Sequence, residues 1–496
     1  MAGDGLPVPA EEPARRGHRA FLLLFLAASA AAVVSLQRQV DPDLFWHLRG
    51  GLDILRSERI VLPESWNYLF EGRPWVNQQW ATEVLFYSAF RWGGYGGLLV
   101  LKGLLACAMV LFALAALRGR SLAVRFLCAG VFVGTTLHYF IFRTHLMSLL
   151  CTAVLVFLLE RRGARDRLPW VLLLFALWAN LHALFGLGLL ILGLWVVVRW
   201  LQGRGRFNAE VLWDAASVPL ACAATLANPF GWGVWQTAFS ALGDPETKLV
   251  TEWWPIWRHS LDQNLGFLFL VLLAAALALL FPRRVHWPSL AASCAIAALG
   301  VQHVRFTSDV ALPALPLLGS LLAAVEEALG EARTQRIVCR VLPVLTGALV
   351  VFSAAGFAFA AATPLVTPGD RLRVDYPVRA VAWMKANAPP GRIFNEYAWG
   401  GYLAWELPRC RTFIDPRTGV LLFPRGFVGE WKRAVETRPG WRETLERGRP
   451  DYVLVLSDNY IAAQLTAEPG WELLFRDNVS VLYGRRAALQ KGKEHP

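Results

Sequence analysis

The chain has 496 residues, of which 55% are hydrophobic and 17% charged. Soluble domains carry about 25% charged residues, so this composition excludes an ordinary soluble enzyme and points to a membrane protein. The formal net charge of +12 does not imply nucleic acid, because the arginines gather in short loops between apolar runs, where membrane topology requires them.

After a cytoplasmic tail (1–20), apolar runs recur from Phe21 to about Ala362. We expect eleven spans, near 21–36, 97–117, 122–137, 146–160, 169–182, 185–200, 210–228, 264–281, 287–303, 307–325 and 338–362. Arg15, Arg16 and Arg19 precede the first, which reads as a retained signal anchor. One set of loops holds Arg118, Arg120 and Arg125, then Arg161, Arg162, Arg165 and Arg167, then Arg199, Arg204 and Arg206, then Arg283 and Arg284, then Arg333, Arg336 and Arg340. The alternate short loops hold little beyond Arg143, Lys248, Arg258 and Arg305. The positive-inside rule then puts the N-terminus inside, and the segment after the first span and the C-terminal tail outside. Of seven cysteines, only Cys410 lies in the tail, so the tail holds no internal disulfide, and no zinc-type spacing occurs.

The outer loop 37–96 reads as two interfacial helices, over 45–55 and 80–90, with Trp46, Trp66, Trp75, Trp80 and Trp92 at headgroup level. Asp41-Pro42-Asp43 opens the first of them. On one reading Asp41 only caps the helix and Asp43 only complements its dipole. On the other, Asp43 and His47 share a face with Gly50 and Gly51, where little side chain blocks a ligand. A carboxylate there accepts a proton from a sugar hydroxyl, or holds a divalent cation against a phosphate.

His138, Arg143, His145, His182, His303 and Arg305 fall near the outer ends of spans. Each alone suits an ordinary interfacial side chain; together, cationic donors around one outer cavity suit a lipid phosphate. Asn180 closes the short fifth span beside His182, and polar groups inside a hydrocarbon run face a cavity or another helix. Asn228-Pro229-Phe230-Gly231 reads as a sharp helix stop. Glu252-Trp253-Trp254-Pro255 is either an aromatic membrane anchor or a wall of the cavity, with rings for sugar faces and Glu252 for hydroxyls.

From Thr363 the texture changes, and 363–496 reads as a small extracytoplasmic α/β domain. Helices are expected over 376–388 and 430–447, strands at 392–395, 412–414 and 451–456, and a closing pair at 471–475 and 479–483. Tyr397, Trp399 and Tyr402, around Gly400-Gly401, form either a tight turn packed on the core or a carbohydrate-binding lip. No G-x-S-x-G, Walker loop or dinucleotide fingerprint occurs, which disfavours nucleotide-driven chemistry.

The motifs D-P-D-L-F-W-H-L-x-x-G (41–51), G-R-P-W (72–75), W-A-N-L-H (178–182), N-P-F-G (228–231), E-W (252–253) and Y-x-W-G-G-Y-L (397–403) come in an order that resembles a bacterial family of GT-C class integral-membrane glycosyltransferases, of the family-39-like or mannosyltransferase-like kind. The resemblance implies a GT-C-like polytopic α-helical fold in a bacterial inner membrane. It implies inverting transfer of a sugar from a polyprenyl-phosphate donor to a glycan, lipid or protein acceptor. Asp41 or Asp43 would be the general base; His47, Arg143, His182 and Arg305 would line the donor phosphate; His138, Asn180, Glu252, Trp253 and His303 would line the cavity. A divalent cation at Asp41/Asp43 is an open expectation. Two positions depart from the pattern: Gln79, where relatives carry an acid before the tryptophan, and Thr144, where proline follows the arginine. The alternative is a non-catalytic transporter, flippase or scaffold for lipid-linked glycan assembly. Transporters tend to carry internal repeats, and none is evident.

Overall fold

The structure, a computed structural model, describes residues 41–205, 208–242, 249–330, 376–417 and 422–489. The expected tail 1–20 and the expected spans 21–36 and 338–362 lie outside the described residues.

The membrane-type part holds α1 (Asp43–Ser57), α2 (Trp80–Ala116), α3 (Leu122–Thr136), α4 (His145–Arg161), α5 (Ala164–Leu181), α6 (Phe185–Gln202), α7 (Ala209–Ala224), α8 (Gly233–Leu242), α9 (Leu261–Leu280), α10 (Trp287–Gln302) and α11 (Leu315–Leu329). Four helices among the described residues are long and apolar enough to cross a membrane: Trp80–Ala116, Leu122–Tyr139, Phe185–Gln202 and Gln263–Leu280. α7 stops at Ala224, four residues before the expected stop at Asn228; Asn228 lies in the turn that follows, where its side chain accepts from the Phe230 amide at 2.7 Å.

Three expectations need correction. The second interfacial helix is not separate from the second span. Both belong to α2, which kinks where Gly93 and Gly94 leave helical geometry, Gly94 at φ 55° and ψ −140°. The span expected over 307–325 begins only at Leu315, because the stretch before it runs as turns. There the buried Asp309 carboxylate pairs with His145 at 2.9 Å instead of entering a helix. The helix expected over 430–447 is two, α14 (Phe427–Val435) and α15 (Trp441–Glu446), split before Gly440 at φ +87°.

The tail also holds α12 (Val378–Asn387), β1 (Arg392–Asn395), α13 (Gly400–Glu406), β2 (Arg411–Thr412), β3 (Tyr452–Leu456), α16 (Tyr460–Ala467), β4 (Trp471–Arg476) and β5 (Ser480–Arg485). The sheet order is β2-β1-β3-β5-β4, parallel across β2-β1-β3 and antiparallel across β3-β5-β4. The outer loop joins this layer: the Thr412 amide donates to the Trp66 carbonyl at 2.8 Å, and the Tyr68 amide donates to the Thr412 carbonyl at 3.2 Å. Arg417 locks the junction. Its guanidinium lies 3.8 Å from the Trp66 ring and 4.7 Å from the Trp75 ring, and pairs with Glu64 and Asp415 at 2.8 Å each. Trp46, Trp66 and Trp75, expected at headgroup level, are instead buried in protein. Trp92 is 79% exposed.

These contacts clamp α1. On one side a Cβ added to Gly51 would collide with the Glu83 carbonyl of α2, so only glycine lets the two backbones meet. On the other, Gly401 opens α13 against Trp46, the Arg49 guanidinium donates to the Ala404 carbonyl at 2.8 Å, and Phe45 packs edge-on against Tyr376 and Tyr402. The helix that begins at Asp43 is thus held between the membrane-type helices and the tail.

Candidate functional site

At the start of α1, Asp41 accepts the Asp43 amide at 3.0 Å, the capping role its position suggests. Its side chain is almost wholly buried, and the Arg143 guanidinium pairs with it at 2.8 Å. Arg143 comes from the turn between α3 and α4, and its Nε also lies 3.4 Å from Asp43 Oδ2. A second nitrogen of Arg143 pairs with Glu252. Arg305 reaches the other oxygen of Glu252 at 3.8 Å and lies 4.4 Å from the Trp253 ring centroid. His303 bonds the Trp253 carbonyl at 2.8 Å and so holds the Glu252–Trp253 turn. Four segments far apart in sequence thus bring three carboxylates and two guanidiniums together. Asp43, Arg143, Glu252 and Arg305 keep 22%, 28%, 30% and 25% of their side chains exposed, so the cluster opens to the surface.

The charges are unequal in their settings. Burial raises the Asp43 carboxyl to about 7; Arg143 and the Trp46 indole hydrogen bond oppose this, while the Asp41 and Glu252 charges add to it. Burial alone would raise Glu252 as well, but Arg143 and Arg305 outweigh it and hold that carboxyl at about 2. Burial works against the Arg143 cation, yet Asp41, Glu252 and Asp43 hold it well above its ordinary range.

The remaining expected residues divide. Asn180 accepts the Trp80 indole N–H at 2.8 Å, which ties α5 to α2. His182 is buried; its Nδ1 lies 2.7 Å from Ser148, which also accepts the Trp178 indole at 2.8 Å. The His145 ring is 6.0 Å away and leads to Asp309. His138 is exposed and makes none of these contacts. His47 does not line the opening: it is 1% exposed and faces Glu83 at 3.3 Å, and burial, aided by Arg143, holds its pKa well below the ordinary value. The face at Gly50 and Gly51, expected to be free for a ligand, is filled by α2. Trp399 and Tyr402 are interior, at 1% and 4% exposure, so the tail motif is the core-packed turn and not a glycan-binding lip. Half-buried Tyr397 packs on Trp431.

The expected divalent cation does not fit these residues as they stand, because Arg143 already bridges Asp41 and Asp43. Among the described residues, no three His, Cys, Asp or Glu side chains are arranged to hold a metal ion. Glu83, Asp309 and Ser148 were not legible as partners, since each lies in a run that reads as apolar helix. The two departures from the motif pattern meet: Thr144 hydrogen-bonds Gln79 beside Arg143.

No family model matches the sequence, and no curated protein matches it. Solved structures do. ArnT from Cupriavidus metallidurans bound to undecaprenyl phosphate matches at 13% identity and a TM-score of 0.53, over 95% of this chain and 99% of that one. The same protein in the apo state gives 13% and 0.55 over the same shares. The Archaeoglobus fulgidus oligosaccharyltransferase, tethered with an acceptor peptide containing the NVT sequon, gives 11% and 0.57 over 94% of this chain and 74% of that one. At these identities the likeness is one of fold, and it extends over nearly the whole of this chain.

Proposed function

We propose, from this GT-C-like fold, that the chain is an inverting membrane glycosyltransferase that moves a sugar from a polyprenyl-phosphate donor to an acceptor outside a bacterial inner membrane. The proposal includes the topology expected above: multiple passes, N-terminus inside and tail outside. Undecaprenyl phosphate in the similar ArnT structure and the acceptor peptide in the oligosaccharyltransferase structure support a lipid-linked donor and an extracytoplasmic acceptor.

The observation that carries the reading is the convergence of Asp41, Asp43 and Glu252 on Arg143 and Arg305 at a partly open surface. Asp43 is the better base. Asp41 is committed to a backbone amide and an ion pair, whereas Asp43 is more open and its carboxyl titrates near neutrality. In the reaction Asp43 takes the acceptor hydroxyl proton, the oxygen attacks C1 of the donor sugar, and the C1–O bond to phosphate breaks. The departing phosphate gathers charge beside Arg143 and Arg305, in the place where Glu252 now bridges them. Binding donor and acceptor against one carboxylate makes the step effectively unimolecular.

The test is to incubate the protein in nanodiscs with a polyprenyl-phosphate hexose and a panel of envelope glycans. The account expects donor consumption and a product of inverted anomeric configuration. Binding of the donor without consumption across the panel counts against an enzyme and favours a transporter or scaffold.

A further inference from the structure

A second charged concavity, of about 280 Å³, lies at the opposite end of α2. From Gly97 to Ala116 the helix runs roughly 29 Å at 1.5 Å per residue, about the thickness of a bilayer's hydrocarbon core. The concavity is lined by Arg118 and Arg120 of the α2–α3 turn, Glu160 and Arg161 at the end of α4, and His286 at the start of α10. The Arg161 guanidinium donates to the Arg118 carbonyl at 3.2 Å, which fixes the rim. The floor is His286, 3.5 Å from Glu160. Neither Arg118 nor Arg120 forms a side-chain ion pair among the described residues, so three guanidiniums face one carboxylate. Beside His286 the Trp287 ring is 53% exposed, as suits a ring at headgroup level.

We infer that this cleft binds a phosphate group, and that its occupant is the headgroup of an anionic phospholipid in the leaflet opposite the carboxylate cluster. Positive-inside loops need only scattered charge; here the charges converge on a hollow between helix ends, the arrangement that captures lipid headgroups. Planar guanidiniums match phosphate oxygens two at a time. Leu117 and Pro316, also in the lining, add an apolar wall beside the charges.

The test uses the full chain in nanodiscs of phosphatidylcholine with and without phosphatidylglycerol, with retained lipid read by native mass spectrometry. We expect the wild type to retain phosphatidylglycerol and the Arg118→Gln/Arg120→Gln variant to lose roughly thirtyfold in retention, from the contribution of two surface arginines. Arg118→Lys/Arg120→Lys keeps the charge that sets topology but loses the fork, and should fall between the two. Arg283→Gln, in an exposed turn outside the lining, should match wild type. Equal retention by the glutamine variant and the wild type overturns the site. Displacement of the bound lipid by millimolar inorganic phosphate alone reassigns the cleft to a soluble phosphate and overturns the lipid occupant.

Discussion

Replacing Arg143 by Gln removes the cation that joins Asp41, Asp43 and Glu252. A hydrogen bond to a charged group contributes about 1.5–3 kcal/mol, so affinity for undecaprenyl phosphate should fall roughly 10- to 150-fold. The same change strips the largest influence that lowers the Asp43 carboxyl, which should then titrate above its present value of about 7. Two readouts follow: equilibrium binding of undecaprenyl phosphate in nanodiscs, and the pH at which transfer rises. Asp41 is left as a buried unpaired carboxylate, and breaking a buried pair costs about 3–5 kcal/mol, so thermal unfolding must be followed in parallel. Arg143→Lys keeps the charge and should recover stability while recovering only part of the binding. Unchanged binding together with an unchanged pH limb in Arg143→Gln would refute the reasoning, because the guanidinium would then touch neither donor nor base.

Arg417→Leu leaves Glu64 and Asp415 buried without their cation and should destabilise the loop–tail junction by about 3–5 kcal/mol. Hydrogen exchange at the Tyr68 and Thr412 amides reads this locally, and unchanged protection would contradict it. Gly51→Val drives a side chain into the Glu83 carbonyl, and overpacking of this kind costs about 1–3 kcal/mol or more. Its melting temperature should drop, whereas Leu55→Ala, exposed on the same helix, should change little. The pH dependence has a defined sign. Asp43 holds its proton more tightly folded, at about 7 against 3.8, so its contribution is full below pH 4 and is lost as pH rises through 7. That is at most about 4 kcal/mol before screening by solvent. Glu252 runs the other way: its contribution is present above 4.5 and is lost as pH falls through about 2. Asp43→Asn should therefore flatten the stability profile between pH 4 and 7 and melt no lower than wild type at pH 8.

Local pattern made several elements readable. The apolar runs behind α3, α6 and α9 stand where hydropathy puts them. The tail strands β1, β3, β4 and β5 follow their β-branched and aromatic runs. What local pattern does not carry is which distant surface covers a side chain. Trp46, Trp66 and Trp75 have the composition of an interfacial belt, yet Arg417 covers Trp66 and Trp75, and α13 packs against Trp46. The glycines at 50 and 51 read as an opening for ligand, but a missing Cβ equally admits another backbone, and here α2 takes the space. At the site, the acids and arginines were legible by type and by position beyond helix ends. The pairing of Glu252 with both Arg143 and Arg305 was not, because it joins segments far apart in the chain.

The most direct trial of the whole account is transfer by Asp43→Asn, measured beside undecaprenyl phosphate binding by the same preparation. The account predicts that transfer is abolished while lipid binding and folding persist. Transfer at the wild-type rate by that variant would contradict it.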